Sequence, residues 1–217
     1  MGITRVKICC ISSVEEAALA IRYGASAVGL VGKMPSGPGV ISDELIREIA
    51  LTVPPGVSSF LLTSETGIKE ILDHHYQTLT NSIQLVDYLE ETVYHELKKQ
   101  LPSVKLVQVI HVLDEQDLTR AKRVAPFVDA LLLDSGNPNL GIKVLGGTGK
   151  VHNWEISRRI RDGVKIPVFL AGGLGPHNVR EAISTVEPFG VDLCSSVRTN
   201  GKLDETKLAA FFEAVNG

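Results

Sequence analysis

The feature that most restricts the fold is an alternation that runs the length of the chain. Short β-branched or apolar runs are each followed by a segment with helical period. The runs are Arg5 to Cys10, Ala27 to Val31, Val57 to Leu62, Ser82 to Leu85, Lys105 to Ile110, Ala130 to Asp134, Val168 to Ala171 and Gly190 to Leu193. The first helix is announced by a Ser-x-x-Glu capping box at Ser13–Glu16, carries Val14, Ala17, Ala18 and Ile21 on one face, and is stopped by Gly24. Further helices are expected over Ser42–Leu51, Gly67–His74 and Glu115–Ala125, and in a segment ending at Leu101. Another opens near Asn153, one carries Val179, Ala182, Ile183 and Val186, and the last carries Leu208, Phe211, Phe212 and Val215.

Strand–helix units repeated in this order, with no segment left over, predict an α/β protein: a single (β/α)8 TIM barrel filling one domain, residues 1–217. A doubly wound open sheet would bring fewer strands and a nucleotide fingerprint after the first of them, which is absent. At 217 residues the chain is near the short end for a barrel, so its loops are lean. The one notable glycine- and proline-rich interruption, Met34 to Gly39, reads as a mobile loop.

Composition narrows the partners. Net charge is −3 and no basic stripe is present, so nucleic acid is not expected as a partner; Arg158-Arg159-Ile160-Arg161 reads as a solvated helix face. No apolar run is long enough to span a bilayer, so no membrane partner is expected. The three cysteines, two of them adjacent, form neither a disulfide framework nor a C-x-x-C metal pattern. With no signal peptide at the start, a reducing, cytoplasmic setting is expected, and no metal. His74-His75 lacks the spacing of a helical zinc site and reads as a surface pair. Monomer and homodimer both stay open.

In a parallel barrel, chemistry collects where strands end and βα loops begin. Cys9-Cys10, Asp134-Ser135, Gly172-Gly173 and Ser195-Ser196 all fall there. Alternation sets Val6, Ile8 and Cys10 on the face that packs under helices and turns Lys7 and Cys9 inward. The same rule separates Leu131 and Leu133 from Leu132 and Asp134. A thiol and a carboxyl then face each other across the mouth. Singly, Cys9 is a small core residue and Asp134 a cap; at the ends of the first and sixth strands together they point to acid–base chemistry. The stretch VLGGTGKVHNW is not a Walker A loop, because Val151 follows Gly149-Lys150, and His152 spoils a dinucleotide fingerprint. Gly146, Gly147, Thr148 and Gly149, with Gly172, Gly173, Ser195 and Ser196, are read as an anion cradle.

Five blocks in order and spacing, Val6–Cys9, Leu131–Ser135, Gly146–Lys150 with Asn153-Trp154, Leu170–Leu174 with Asn178-Val179, and Val191–Ser196, resemble the phosphoribosylanthranilate isomerase family of tryptophan biosynthesis. The resemblance implies a cofactor-free Amadori rearrangement of a small phosphorylated sugar substrate, an N-phosphoribosyl arylamine, to a 1-amino-ketose phosphate. It implies Cys9 as general base and Asp134 as general acid, with the glycine and serine residues binding the phosphate. The chain departs from the family in four places. Ser36-Gly37-Pro38 stands where the family has Ser-Pro-Arg, whose Arg meets the anthranilate carboxylate; Lys33 is the only cation nearby. Gln84-Leu85-Val86-Asp87 replaces Gln-Leu-His-Gly, and Cys10 replaces a glycine. Cys194-Ser195-Ser196-Val197-Arg198 replaces Ser-Ser-Gly-Val-Glu. A related isomerase acting on a different phosphosugar, and a non-catalytic barrel that binds a phosphorylated ligand, stay open as alternatives.

Overall fold

The computed structural model describes residues 4–35, 37–136 and 152–217. Eight parallel strands close into a barrel in chain order: β1 (Arg5–Ile8), β2 (Ala27–Val31), β3 (Ser58–Thr63), β4 (Ser82–Leu85), β5 (Lys105–His111), β6 (Ala130–Asp134), β7 (Val168–Leu170) and β8 (Gly190–Leu193). Closure comes from β1 against β8, with Lys7 beside Asp192 and Ile8 beside Leu193. Helices follow the strands: α1 (Val14–Arg22), α2 (Asp43–Thr52), α3 (Ile68–Thr78), α4 (Glu91–Gln100), α5 (Gln116–Val124), α6 (Trp154–Gly163), α7 (Val179–Val186) and α8 (Glu205–Asn216). A small antiparallel hairpin, β9 (Arg198–Thr199) with β10 (Lys202–Leu203), lies between β8 and α8. The sequence gives no warning of it, because two-residue strands are too short to show a period.

Capping chemistry sets several helix starts. Ser13, Ser42, Asn153 and Asp204 each accept a hydrogen bond from the first turn of the helix they precede. The Glu of the predicted capping box reaches one residue further back than expected: Glu16 Oε2 accepts from the N–H of Ser12 at 3.0 Å. Gly24, at φ +106°, turns the chain out of α1 as a glycine after a helix does.

Side chains sort into two apolar shells. Val6, Ile8, Leu30, Leu61, Ile83, Leu131 and Leu133 point outward and pack with the helices. Cys9, Val31, Leu62, Val107, Val109, Leu132 and Phe169 fill the barrel interior. Strands buried on both faces explain why the sequence runs are continuously apolar. The charged face expected at Arg158–Arg161 is an ion-paired one. Arg158 and Arg161 reach Asp162 and Glu187, Arg159 reaches Glu115, and Ile160 between them is fully buried.

Two expectations need correction. Cys10 does not pack under the helices: β1 ends at Ile8, Cys10 takes φ +61°, and this left-handed turn breaks the pleat and sends its thiol to the mouth. His74 and His75 are buried rather than on the surface, because α3 continues to Thr78 and turns both rings into the packed face. His74 is held between Thr63 Oγ1 at 3.0 Å and Asp43 Oδ1 at 3.1 Å.

Candidate active site

The C-terminal ends of the strands surround one cavity. Cys9 and Cys10 enter it after β1, Asp134 from β6, Gly172 and Gly173 after β7, and Asp192, Cys194 and Ser195 from β8 and its loop. Val31, Met34, Gly37, Pro38, Leu62, Gln84 and Val86 line the β2–β4 side. The thiol and carboxyl singled out from sequence therefore share one mouth.

Asp134 is buried, and one of its oxygens accepts the N–H of Ser135 at 2.7 Å. Burial pushes its carboxyl above the usual carboxylate range, and this outweighs the opposing pull of the Ser135 N–H and of His111. A carboxyl so placed holds its proton better than one in water and can donate it.

Cys9 shares its surroundings with Lys7. The Lys7 ammonium is fully buried, 2.8 Å from Asp192 Oδ1 and 5.3 Å from the centre of the Phe60 ring. Burial works against its charge, but Asp192 and then Cys9 hold it above the ordinary lysine range, so it stays an ammonium. Gly29 on β2 makes room for both groups. A Cβ there would lie 2.8 Å from Cys9 Sγ and 2.9 Å from Lys7 Nζ, so any larger residue would displace the thiol or the ammonium. The other two thiols complete the cluster. Hydrogen bonding to Cys194 and Cys9, with burial, pushes Cys10 up. The same contact with Cys10, with help from Arg198, pulls Cys194 down.

On the opposite side, Gly172 and Gly173 take φ +83° and +65°. A Cβ on Gly172 would meet Ser135 Oγ at 2.9 Å, so the backbone can come this close only as glycine. Asn178 fixes the turn, accepting the N–H of Gly175 at 2.8 Å and donating to the Gly173 carbonyl at 3.0 Å. Ser195 lines the cavity; Ser196 does not, and its hydroxyl is buried with no hydrogen-bond partner among the described residues. Gly146, Gly147, Thr148 and Gly149 lie outside the described residues.

Three residues at the mouth escaped the sequence candidates as site residues. Asp192 stands beside Lys7 in the β1–β8 register, and an inward acid and base at equal height on the first and last strands was the available signal. Gln84 lines the cavity with a buried Oε1 that has no hydrogen-bond partner among the described residues. His111, beside Asp134 in the β5–β6 register, is within 3.0 Å of the Val86 carbonyl through Nε2. Among the described lining residues there is no cationic side chain, and the carboxyl groups are those of Asp134 and Asp192; Lys33 is exposed and does not line the cavity. Among the described residues, no group of three or more His, Cys, Asp or Glu is placed to hold a metal ion, and no helix is long and apolar enough to cross a membrane.

Comparison with known proteins adds a family to this geometry. The sequence profile of N-(5'-phosphoribosyl)anthranilate (PRA) isomerase matches residues 6–214. The chain is 37% identical to N-(5'-phosphoribosyl)anthranilate isomerase 2 of Methanosarcina mazei, over 95% of this chain and 92% of that one. Its structure resembles the phosphoribosylanthranilate isomerase of Thermotoga maritima with a TM-score of 0.80 and 33% identity, covering 98% of each chain. It also resembles, with a TM-score of 0.77, 30% identity and 98% coverage of each chain, a phosphoribosylanthranilate isomerase solved with reduced 1-(o-carboxyphenylamino)-1-deoxyribulose 5-phosphate.

Proposed function

The chain belongs to the N-(5'-phosphoribosyl)anthranilate isomerase family of aldose–ketose isomerases, and from that premise we propose that Cys9 and Asp134 perform an Amadori rearrangement of phosphoribosylanthranilate, a step of tryptophan biosynthesis. The observation that carries this reading is the pair itself: a thiol and a carboxyl that burial pushes above the usual range, in a single cavity at the strand ends. The reading treats residues 1–217 as one catalytic domain.

In the proposed reaction, Asp134 gives its proton to the ribose ring oxygen as the bond from that oxygen to C1 breaks, leaving an iminium between C1 and the arylamine nitrogen. Cys9, as thiolate, takes the proton from C2 and forms the enolamine. Protonation at C1 and loss of the hydroxyl proton at C2 then give the 1-amino-ketose. No atom is gained or lost, and no redox partner is needed. The buried Lys7 ammonium beside Cys9 is the cation placed nearest to the sulfur that takes this proton. The left-handed Gly172-Gly173 turn and Ser195, with Gly146, Gly147, Thr148 and Gly149, supply the phosphate seat in this reading, whereas Ser196, which does not line the cavity, has no part in it.

The direct test is turnover of purified protein on phosphoribosylanthranilate, followed by the change in arylamine fluorescence. Conversion is expected. No conversion at millimolar substrate would exclude this substrate and favour a related phosphosugar amine, which the absence of a cation among the described lining residues keeps in view.

A further inference from the structure

We infer that Arg198 is a positioning residue for the thiol of Cys9, acting through the backbone of the turn that follows β1; its bearing on catalysis rests on the role proposed for Cys9. The two carbonyls that leave the barrel ladder at this turn point to one guanidinium. Arg198 Nη2 donates to the Cys10 carbonyl at 2.5 Å and lies 3.4 Å from the Cys9 carbonyl. The amides on either side are already engaged: Cys9 N–H with the Leu193 carbonyl at 2.8 Å and Ile11 N–H with the Gly29 carbonyl at 3.0 Å. The chain between those anchors takes a left-handed turn at Cys10, a conformation that a residue with a Cβ resists. The guanidinium sits where it opposes that resistance.

Arg198 is itself held. Glu16 grips it as a fork, Nη1 to Oε1 at 3.1 Å and Nη2 to Oε2 at 3.0 Å, while Nη1 also donates to the Gly201 carbonyl at 2.9 Å. The same Glu16 carboxylate accepts the N–H of Ser12 at 3.0 Å and of Leu203 at 2.8 Å. One half-buried ion pair therefore ties the turn after β1 to the hairpin after β8. Burial opposes the charge of the guanidinium, but its bonds to Glu16 more than compensate and hold it above its ordinary range. Arg198 does not line the cavity, so it cannot touch substrate from this position. Its reach to the reaction is through where Cys9 points.

The test uses the full chain with Arg198→Gln, Arg198→Lys and a control destabilised on the far side of the barrel, Leu97→Ala in α4. Turnover is read as kcat and KM separately, and alkylation of each cysteine by iodoacetamide is followed by mass spectrometry. A thiol let go by even about 1 Å predicts a kcat loss of about 100-fold in Arg198→Gln, with KM changed by less than about threefold. Arg198→Lys should recover part of that loss, since one ammonium can reach one carbonyl but not hold the fork. Alkylation of Cys10 should rise about tenfold in Arg198→Gln as the turn opens locally, and stay slow in Leu97→Ala at equal loss of Tm. If kcat and alkylation in Arg198→Gln merely follow Tm, as in the control, Arg198 is only a structural residue and the inference is wrong. If wild-type protein turns over no phosphoribosylanthranilate, the functional reading fails on its own, and the alkylation arm still decides whether Arg198 holds the turn.

Discussion

The β6–β8 side of the mouth presents Asp134, Asp192, two left-handed glycines and Ser195, whereas the β2–β4 side presents Val31, Met34, Pro38, Leu62 and Val86 around a single amide, Gln84. The first side, with Cys9 and Lys7 at its β1 edge, has the donors, acids and close backbone that ring opening, proton transfer and phosphate binding require. The second is an apolar wall with no cation among its described residues. In the proposed reading, chemistry and recognition of the amine substituent fall to different strands. The departures from the family pattern at Gly37, Pro38 and Val86 sit on the recognition side.

The largest expected effects fall on the chemical side. Cys9→Ser and Asp134→Asn should each lower turnover by about 100- to 10,000-fold, the range for acid–base groups. Asp134→Asn should at the same time stabilise the fold at neutral pH. The carboxyl is raised above its unfolded value of 3.8, so the native protein holds its proton more tightly than the unfolded chain. Wild-type stability therefore falls as pH rises from that value through the raised one. The advantage of Asn should vanish at lower pH, as denaturant melts at several pH values will reveal.

Next comes the ion pair beneath the thiol. Lys7→Met leaves Asp192 buried without its partner and should cost about 3–5 kcal/mol of stability. Lys7→Met with Asp192→Leu should regain most of it, whereas turnover should not return. A double variant no more stable than the single one would show that the pair is not what holds this region.

On the recognition side the expected effect is smaller and of opposite sign. Pro38→Arg should raise kcat/KM for phosphoribosylanthranilate about tenfold by giving its carboxylate a charged partner, worth about 1.5–3 kcal/mol at best. Gly37 is the poorer place, because at φ +113° any side chain is strained. An equal gain on a phosphoribosyl arylamine without a carboxylate would break the division between the two sides. The smallest effect is at the seam: Cys10→Gly relieves the left-handed backbone at φ +61° and should stabilise by about 1 kcal/mol in thermal melts.

The barrel was legible because each layer of it leaves a local trace. The spans Ala27–Val31, Ser82–Leu85, Ala130–Asp134 and Gly190–Leu193 are strands at those bounds, since turn residues bracket each apolar run. Ser13 acts as the cap its motif suggested, and Ser42 and Asn153, near which helices were expected to open, cap theirs too. Places at strand ends, with alternation, put Cys9 and Asp134 at one mouth. What was illegible depends on contacts between distant segments. Lys7 and Asp192 meet because β1 closes on β8 across 185 positions, so their inward places at equal height become a signal only once closure is assumed. Arg198 reaches the turn at Cys10 from 188 positions away. His74 looked like a surface residue because its partners, Asp43 and Thr63, lie on other elements. The left-handed twist at Cys10 is likewise invisible in a run of apolar letters.

The claim that one thiol and one carboxyl act together over a shared substrate is tested most directly by turnover of Cys9→Ser, Asp134→Asn and the double variant, measured side by side. Groups that work as a unit predict that each single variant is crippled and that the double is scarcely worse than the poorer single. Losses that multiply in the double variant, or full activity in either single, would contradict the account.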